Sequence, residues 1–130
     1  MKTSIYGFIT AILFSLMCTA AHSQNAEIDS LLNLLSKHTD TDTRRIDILN
    51  KTAFAYFYIN KEKTLLYAEE ADNLSNLIHY EKGKAASLNN IGLYYYDKSE
   101  FDKALEYYEE SLDINKRIND PAGKAKALNN

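Results

Sequence analysis

The sequence predicts an all-α fold in which helix-turn-helix repeats stack side by side as an α-solenoid. Three observations indicate this class. The 130 residues include only four Gly and one Pro, too few for the closely spaced turns of a β-sandwich or barrel. Hydrophobic residues make up 45% of the chain and charged residues 25%, which argues against wholesale disorder. A segment of about 40 residues recurs, and such a period is typical of stacked helical units.

Residues 1–23 have the pattern of a secretory signal peptide. Lys2 gives a positive start, Ile5 to Cys18 is mostly apolar, and Ala21-His22-Ser23 resembles an A-x-A cleavage site. The apolar run is shorter than the roughly 20 residues of a membrane-spanning helix. We therefore expect cleavage near Ser23-Gln24 and a secreted or periplasmic protein, with an uncleaved N-terminal anchor as the alternative.

Cys18 is the single cysteine of the chain. Lipoprotein attachment there is not favoured, because Met17 and Ser15 stand where a small and an aliphatic residue are needed. Cleavage would leave no cysteine, so the exported fold would be held together by packing without a disulfide. The formal net charge of −3 is mildly acidic and gives no reason to expect a nucleic acid or an anionic membrane as partner.

Residues 24–40 are expected to form an N-terminal capping helix and a linker. From Ala26 to Lys37 the apolar residues follow the spacing of an amphipathic helix, and a polar link rich in Asp and Thr follows at 39–43. The ends of a solenoid need such a cap over their open hydrophobic face. The apolar positions of this helix are Ile28, Leu31, Leu32, Leu34 and Leu35.

Two copies of the repeat are predicted at 41–81 and 82–120, and a third begins at 121–130. Leu88-Asn89-Asn90 recurs at an offset of 40, whereas the offset from Leu49-Asn50-Lys51 to Leu88 is 39. The second halves of the first two copies align at an offset of 40, so the first copy is expected to lack one residue in its internal turn. Because the third copy stops before its second helix, we interpret the chain as a fragment or a truncated product of a longer array.

Each half of the second copy has the periodicity of a helix. One apolar stripe begins at Leu88, and a second begins at Phe101 after a polar turn. Ser99 stands where a helix N-cap is expected. Asn119-Asp120-Pro121 predicts a break, with Pro121 in the first turn of the next helix. The positions that define the two stripes are Leu88, Ile91, Gly92, Tyr95, Phe101, Ala104, Tyr108 and Ser111.

These positions resemble those of a tetratricopeptide repeat. Ile91-Gly92, Tyr95, Ala104, Tyr108 and Ser111 match the family's L-G, Y, A, F and A positions, Leu88 replaces the usual Trp, and Phe101 is the aromatic of the turn between helices A and B. The first copy is weaker, with Thr52-Ala53 in place of L-G. The period exceeds the standard length of about 34 residues and is similar to that of the kinesin light chain type. The resemblance implies a right-handed solenoid that binds a protein or peptide through the concave face of its A helices.

The resemblance also places candidate peptide-binding residues on the concave face. In the family, an Asn two places before the Gly can hydrogen-bond the main chain of the ligand, and an amide suits this task because it both donates and accepts. Asn90 and Asn130 occupy this place, and Lys51 replaces the Asn in the first copy. The alternative interpretation is that the asparagines cap or bridge adjacent helices. The candidate set is Lys51, Asn89, Asn90, Leu93, Tyr96, Asp97 and Asn130.

Other motifs give no indication of catalysis, a cofactor or a metal. His38 and His79 lack a second ligand at metal-binding spacing. Glu69-Glu70 recurs with the repeat as Glu109-Glu110, which fits a solvated face better than a catalytic carboxylate pair. No Gly-rich phosphate loop is present in the sequence. Tyr94-Tyr95-Tyr96 cannot form one flat sugar-binding face on a helix, so Tyr95 is expected in the core, with its two neighbours more exposed.

The predicted function is therefore that of an exported, non-enzymatic module that binds a protein or peptide of unknown identity. We expect no nucleic acid, metal or cofactor, and membrane contact only through the signal or a downstream segment. The alternative is the sensory N-terminal part of a longer signalling protein, a histidine kinase or transcription regulator, with its output domain beyond residue 130. Glycan binding, a third interpretation, depends only on the tyrosine content.

Overall fold

The computed structural model describes residues 24–130, and every regular element in this part of the chain is an α-helix. The predicted signal peptide and Cys18 lie outside the described residues. None of the helices described here has the length and hydrophobicity needed to cross a membrane. The helices are α1 (24–37), α2 (Thr43–Tyr56), α3 (Lys61–Leu77), α4 (Glu81–Asp97), α5 (Phe101–Arg117) and α6 (Pro121–Asn129).

Successive helices pack against each other from α2 to α6, and short turns join them. In addition, α2 contacts α4 and α4 contacts α6. The first helices of successive repeats therefore lie side by side, and we call α2, α4 and α6 the A helices and α3 and α5 the B helices. This arrangement confirms the predicted all-α solenoid.

Side-chain caps begin three of the helices. Asp42 accepts a hydrogen bond from the Arg45 amide at the start of α2, and Asn60 accepts one from the Lys63 amide at the start of α3. Asp120 accepts from two amides of α6, with Pro121 in the first turn as predicted. These caps satisfy amides that would otherwise lack a partner at a helix start.

The prediction that Ser99 caps α5 is wrong. Ser99 has a φ of 61° and follows the end of α4, while Glu100 occupies the N-cap without a side-chain bond. The Glu100 amide instead donates back to the Tyr95 carbonyl oxygen at 3.0 Å. A residue in the left-handed region thus ends the A helix by a backward hydrogen bond. His79 and Asn119 hold the same conformation after α3 and α5, with φ values of 57° and 56°.

The first copy is one residue shorter than the second between matching positions of its two helices, but the prediction that this residue is missing from the internal turn is wrong. Helix α2 ends at Tyr56, whereas α4 continues to Asp97, beyond Tyr95, the counterpart of Tyr56. The turn at 57–60 is one residue longer than that at 98–100, and it contains no residue with a positive φ. The A helix of the first copy therefore ends two residues earlier and its turn is one residue longer, which together give the net difference of one residue.

Helix α1 packs on the first repeat. Its Ile28, Leu31 and Leu35 are buried in one cluster with Ile46 and Leu49 of α2. Most of the predicted apolar stripe thus packs on the first repeat, and Leu32 lies partly buried against the same cluster. The prediction is wrong for Leu34, which is 40% exposed.

Arg45 joins the first three helices by polar contacts. Its guanidinium donates to the carbonyl oxygen of His38, just after α1, at 2.9 Å. It also donates to Oε1 of Glu70 on α3 at 2.8 Å. Because Arg45 itself lies on α2, one side chain links three helices at the N-terminal end of the described chain.

Candidate functional site

The positions that define the second repeat lie mostly in helix interfaces. Leu88, Ile91, Ala104, Tyr108 and Ser111 are buried. A Cβ at the also buried Gly92 would lie 2.5 Å from Cε1 of Tyr108, so the absence of a side chain there allows the ring to approach α4. Two positions differ from expectation: Tyr95 is half-buried, and Phe101 is 57% exposed.

Each repeat contains a stacked tyrosine pair covered by a lysine. The rings of Tyr56 and Tyr67 stack with centroids 5.6 Å apart, and those of Tyr95 and Tyr107 stack at 5.4 Å. Nζ of Lys63 lies 4.7 Å from the centroid of the Tyr56 ring, and Lys103 occupies the matching place over Tyr95 at 5.0 Å. Sequence reasoning missed this feature, although the recurrence of Tyr and Lys at the spacing of the repeat was the available signal.

The repeated asparagines join neighbouring A helices. Nδ2 of Asn90 donates to the backbone carbonyl oxygen of Asn50 at 3.0 Å, and Nδ2 of Asn130 donates to Oδ1 of Asn89 at 3.0 Å. Asn50 itself donates to the carbonyl oxygen of Gly83 at the start of α4, also at 3.0 Å. These contacts favour the interpretation of the asparagines as bridges between helices, and the ligand-binding role stays a prediction.

Two amide atoms of adjacent residues on α4 are left without a hydrogen-bond partner among residues 24–130. They are Nδ2 of Asn89, a donor, and Oδ1 of Asn90, an acceptor. Both residues are buried, with 2% and 1% of their surfaces exposed. A buried amide group without a partner is costly, so a polar group that reached one of these atoms would be favoured.

Asn89 lines a cavity of about 250 Å³ between α4, α5 and α6. Lys82 and Lys126 also line it, together with Asn115 and Asp120. Partial burial of the Lys126 ammonium lowers its pKa, because the charged form loses solvation. We call this cavity the asparagine cavity.

Lys126 also reaches across the A helices. Its Nζ lies 5.0 Å from the centroid of the Phe54 ring, so a side chain of α6 meets one of α2. Phe54 is 47% exposed. The stretch from α2 across α4 to α6 is therefore one continuous face, which we call the A-helix face.

The other candidate residues are divided between two places. Lys51 is exposed on α2, Leu93 is half-buried on α4, and the exposed Asp97 forms an ion pair with Lys61 of α3. Tyr96 and Asn130, in contrast, line a second and larger cavity at the C-terminal end. The structure thus brings part of the predicted set together on the A-helix face and places the rest elsewhere.

The second cavity has a volume of about 500 Å³ and lies between α5 and α6. We call it the end groove. Within residues 24–130 the hydroxyl of Tyr108, one of its lining residues, is buried without a hydrogen-bond partner. Burial raises the pKa of Tyr108 to about 12. The lining is otherwise mainly apolar and includes Tyr96, Phe101, Ala104, Leu105, Leu112 and Leu128.

Residues 24–130 contain no cluster of three His, Cys, Asp or Glu side chains able to hold a metal ion. His38 contacts a carboxylate, but this carboxylate belongs to Asp42, the N-cap of α2, with Nε2 and Oδ1 2.9 Å apart. Hydrogen bonds from the Arg45 amide and from His38 lower the pKa of Asp42. These contacts stabilise a helix start, whereas the A-helix face and the end groove offer amides, lysines and apolar surface suited to binding.

Stacked helix pairs with adjacent A helices and matching buried positions define a helical repeat protein. Residues 84–122 match the family model of the tetratricopeptide repeat, so this segment of the chain is similar to a tetratricopeptide repeat. The matched segment contains most of α4 and all of α5, which confirms the tetratricopeptide resemblance predicted for the second copy. The spacing of the repeats is consistent with the kinesin light chain type. No curated protein compared with the chain matches it.

Proposed function

We propose that this protein is an exported, non-catalytic module that binds an extended segment of a protein or peptide along the A-helix face. A tetratricopeptide repeat is a protein-interaction element, which supports a protein partner. The observation that carries the choice of face is the unsatisfied Nδ2 of Asn89 at the asparagine cavity.

The asparagine cavity suits an oxygen atom of the ligand. Nδ2 of Asn89 needs an acceptor, and Lys126, which lines the same cavity, carries a second donor. A ligand carbonyl or carboxylate oxygen could accept from both. An unpaired buried donor costs about 1–3 kcal/mol, and a ligand oxygen would recover that free energy.

Side chains of α2 and α4 on the A-helix face suit an extended ligand. Phe54 and Lys51 are exposed on α2, and Leu93 is half-buried on α4. An extended peptide presents main-chain carbonyl groups at regular intervals and side chains to either side. One peptide could therefore place an oxygen near Asn89 while its side chains contact Phe54 and Leu93.

Selection from a displayed library of short random peptides against the full chain tests this proposal. Asn89→Asp exchanges the amide donor for a carboxylate of the same shape, so we expect the selected peptides to bind at least about tenfold more weakly, a loss of about 1.4 kcal/mol. Asn73→Asp, on the exposed surface of α3, makes the same chemical change away from the face and should leave the dissociation constant unchanged.

Circular dichroism of both variants should retain the helical signal. Equal binding by Asn89→Asp and the unchanged chain would contradict the proposal, as would a library that yields no binding peptide.

Export is supported by the leader-like pattern of residues 1–23. Expression of the full chain in a bacterium, followed by fractionation and mass measurement, tests it. We expect a periplasmic or secreted product that begins at Gln24. An intact chain found only in the cytoplasm would contradict export.

A further inference from the structure

Asp72 and Ser87 form a polar contact where the first repeat meets the second. Asp72 lies on α3, the B helix of the first repeat, and Ser87 lies on α4, the A helix of the second. We propose that this contact is a pH-sensitive lock between the repeats: on acidification the Asp72 carboxylate takes a proton from the solvent and donates it in a hydrogen bond to the Ser87 hydroxyl. The lock goes beyond the proposed peptide binding and does not depend on it.

The single hydrogen of the Ser87 hydroxyl indicates where a proton would be favoured. Oγ of Ser87 lies 2.7 Å from the Lys84 carbonyl oxygen on its own helix and 3.2 Å from Oδ1 of Asp72. A serine hydroxyl can donate one hydrogen, and the shorter contact is the better hydrogen bond. Ionised Asp72 therefore places an acceptor oxygen against the lone pairs of Ser87. Nδ2 of Asn76 already donates to Oδ2 of Asp72 at 3.1 Å, so Oδ1 is the oxygen on which a proton would be used.

The charges around Asp72 also favour its protonated form. Within residues 24–130 the half-buried Asp72 forms no ion pair; the Lys84 ammonium attracts it, but its ion pair is with Oε1 of Glu110 on α5, at 3.0 Å. The other titratable groups that face this place are Glu69 on α3 and Tyr107 on α5. Burial raises the pKa of Asp72, and the Glu110 carboxylate acts in the same direction.

The matching positions of the next repeat show that this place does not require polar side chains. One repeat later, the places of Asp72 and Ser87 are occupied by Leu112 and Ala127. Leu112 is half-buried and Ala127 is buried. An apolar pair packs two helices without any titrating group. The contact of α3 with α4 is therefore sensitive to pH in a way that the contact of α5 with α6 is not.

Protonation of Asp72 tightens the contact between α3 and α4. Because the pKa of Asp72 is higher in the folded chain than in the unfolded chain, ionisation of this group favours unfolding at neutral pH. As the pH falls through the folded pKa, Asp72 takes up a proton and this cost is lost. The same proton then supplies the hydrogen bond between the two repeats.

Carbon-13 NMR of the aspartate carboxyl groups in the full chain tests where the proton is bound. We expect the Asp72 signal to titrate at a higher pH than that of an ordinary aspartate. In Ser87→Ala the protonated form loses its acceptor, so the titration midpoint of Asp72 should move to lower pH. If the Ser87 hydroxyl instead donated to the carboxylate, the same substitution would raise the midpoint, and the proposal would be overturned.

Thermal unfolding across a range of pH measures what the proton does to the contact. Asp72→Asn replaces the carboxyl group by an amide of the same shape, which can donate to Ser87 at any pH. We expect its Tm to exceed that of the unchanged chain by a few degrees at neutral pH, and the difference to vanish as the pH falls below the midpoint of Asp72. Asp29→Asn makes the same change on the exposed surface of α1 and should show no such pH-dependent difference.

Three further results would overturn the lock. They are a titration midpoint for Asp72 at or below that of an ordinary aspartate, a difference in Tm between Asp72→Asn and the unchanged chain that is the same at every pH, and an equal pH-dependent difference for Asp29→Asn. If Asp72→Asn lost its helical circular dichroism, the NMR comparison of the unchanged chain with Ser87→Ala would still decide the question.

Discussion

The two repeats achieve the same close packing of their A and B helices with different side chains. In the first repeat Ala53 and Ala68 are both buried in one cluster. In the second, their counterparts are Gly92 and Tyr108, with the ring lying where a Cβ of residue 92 would be. An alanine–alanine pair in the first repeat and a glycine–tyrosine pair in the second thus fill the same place between helices A and B. What the fold requires is a filled interface and not a particular side chain.

The junctions between A helices differ as well. At the first, Asn50 donates to the Gly83 carbonyl oxygen and its own carbonyl oxygen accepts from Asn90. At the second, Asn89 accepts from Asn130, but its Nδ2 has no partner among residues 24–130. The side-chain donor of Asn50 is thus hydrogen-bonded at the first junction, whereas the side-chain donor of Asn89 at the second junction is not. Substitution of Asn50 is therefore expected to lower the free energy of unfolding more than substitution of Asn89.

Removal of the Tyr108 ring should have the largest effect on stability. The residue is 7% exposed, so Tyr108→Ala should leave a cavity and lower the free energy of unfolding by about 3–5 kcal/mol. Urea unfolding followed by circular dichroism measures the change. Leu66→Ala, at a residue 59% exposed on α3, is the control and should cost far less. A loss below about 1 kcal/mol for Tyr108→Ala would show that the second repeat can close around the missing ring.

Gly92→Ala tests whether the glycine and the tyrosine depend on each other. With Tyr108 present, the new Cβ overlaps the ring and should cost about 1–3 kcal/mol. With Tyr108→Ala already made, the double variant has the alanine pair of the first repeat. The same change should then be neutral or stabilise the helix by up to about 1 kcal/mol. A double-mutant cycle gives the coupling, and equal costs in both backgrounds would contradict it.

Asn50→Ala and Asn89→Ala compare the two junctions directly. The first substitution removes the buried side-chain hydrogen bond to the Gly83 carbonyl oxygen, together with the Oδ1 atom that accepts from the Asn90 amide, and should cost about 1–3 kcal/mol. The second removes a buried donor that has no partner, and the Asn130 amide it releases lies on an exposed residue, so the cost should stay below about 1 kcal/mol. Urea unfolding of the two variants measures the difference. A larger loss of unfolding free energy for Asn89→Ala than for Asn50→Ala would contradict the prediction.

Features encoded within a few residues were predictable from the sequence. Asn119-Asp120-Pro121 marks a helix start by local chemistry, and the resemblance to the tetratricopeptide repeat identifies Gly92 and Tyr108 as positions that define the repeat. The prediction for Ser99 is wrong because an N-cap and a left-handed helix end place similar residues between two helices, and only the backbone distinguishes them. The Asn90 amide donates to Asn50, which lies far away in the sequence. No local pattern could therefore show whether Asn90 bridges adjacent helices or binds a ligand.

Ser99→Gly should give the smallest effect and the opposite sign. Ser99 is held at a φ of 61°, where a Cβ is unfavourable, and glycine removes that cost. Part of the gain is offset by the greater freedom of glycine in the unfolded chain, so we expect stabilisation of about 0.5–1 kcal/mol, a rise of a few degrees in Tm. Tyr58→Gly is the control in the first repeat, whose turn has no positive φ; there glycine brings the entropic cost and removes the edge contact of the Tyr58 ring with Phe57, so it should destabilise. If both substitutions shifted Tm alike, the two turns would share one backbone conformation, and the shortening of α2 would not explain their difference.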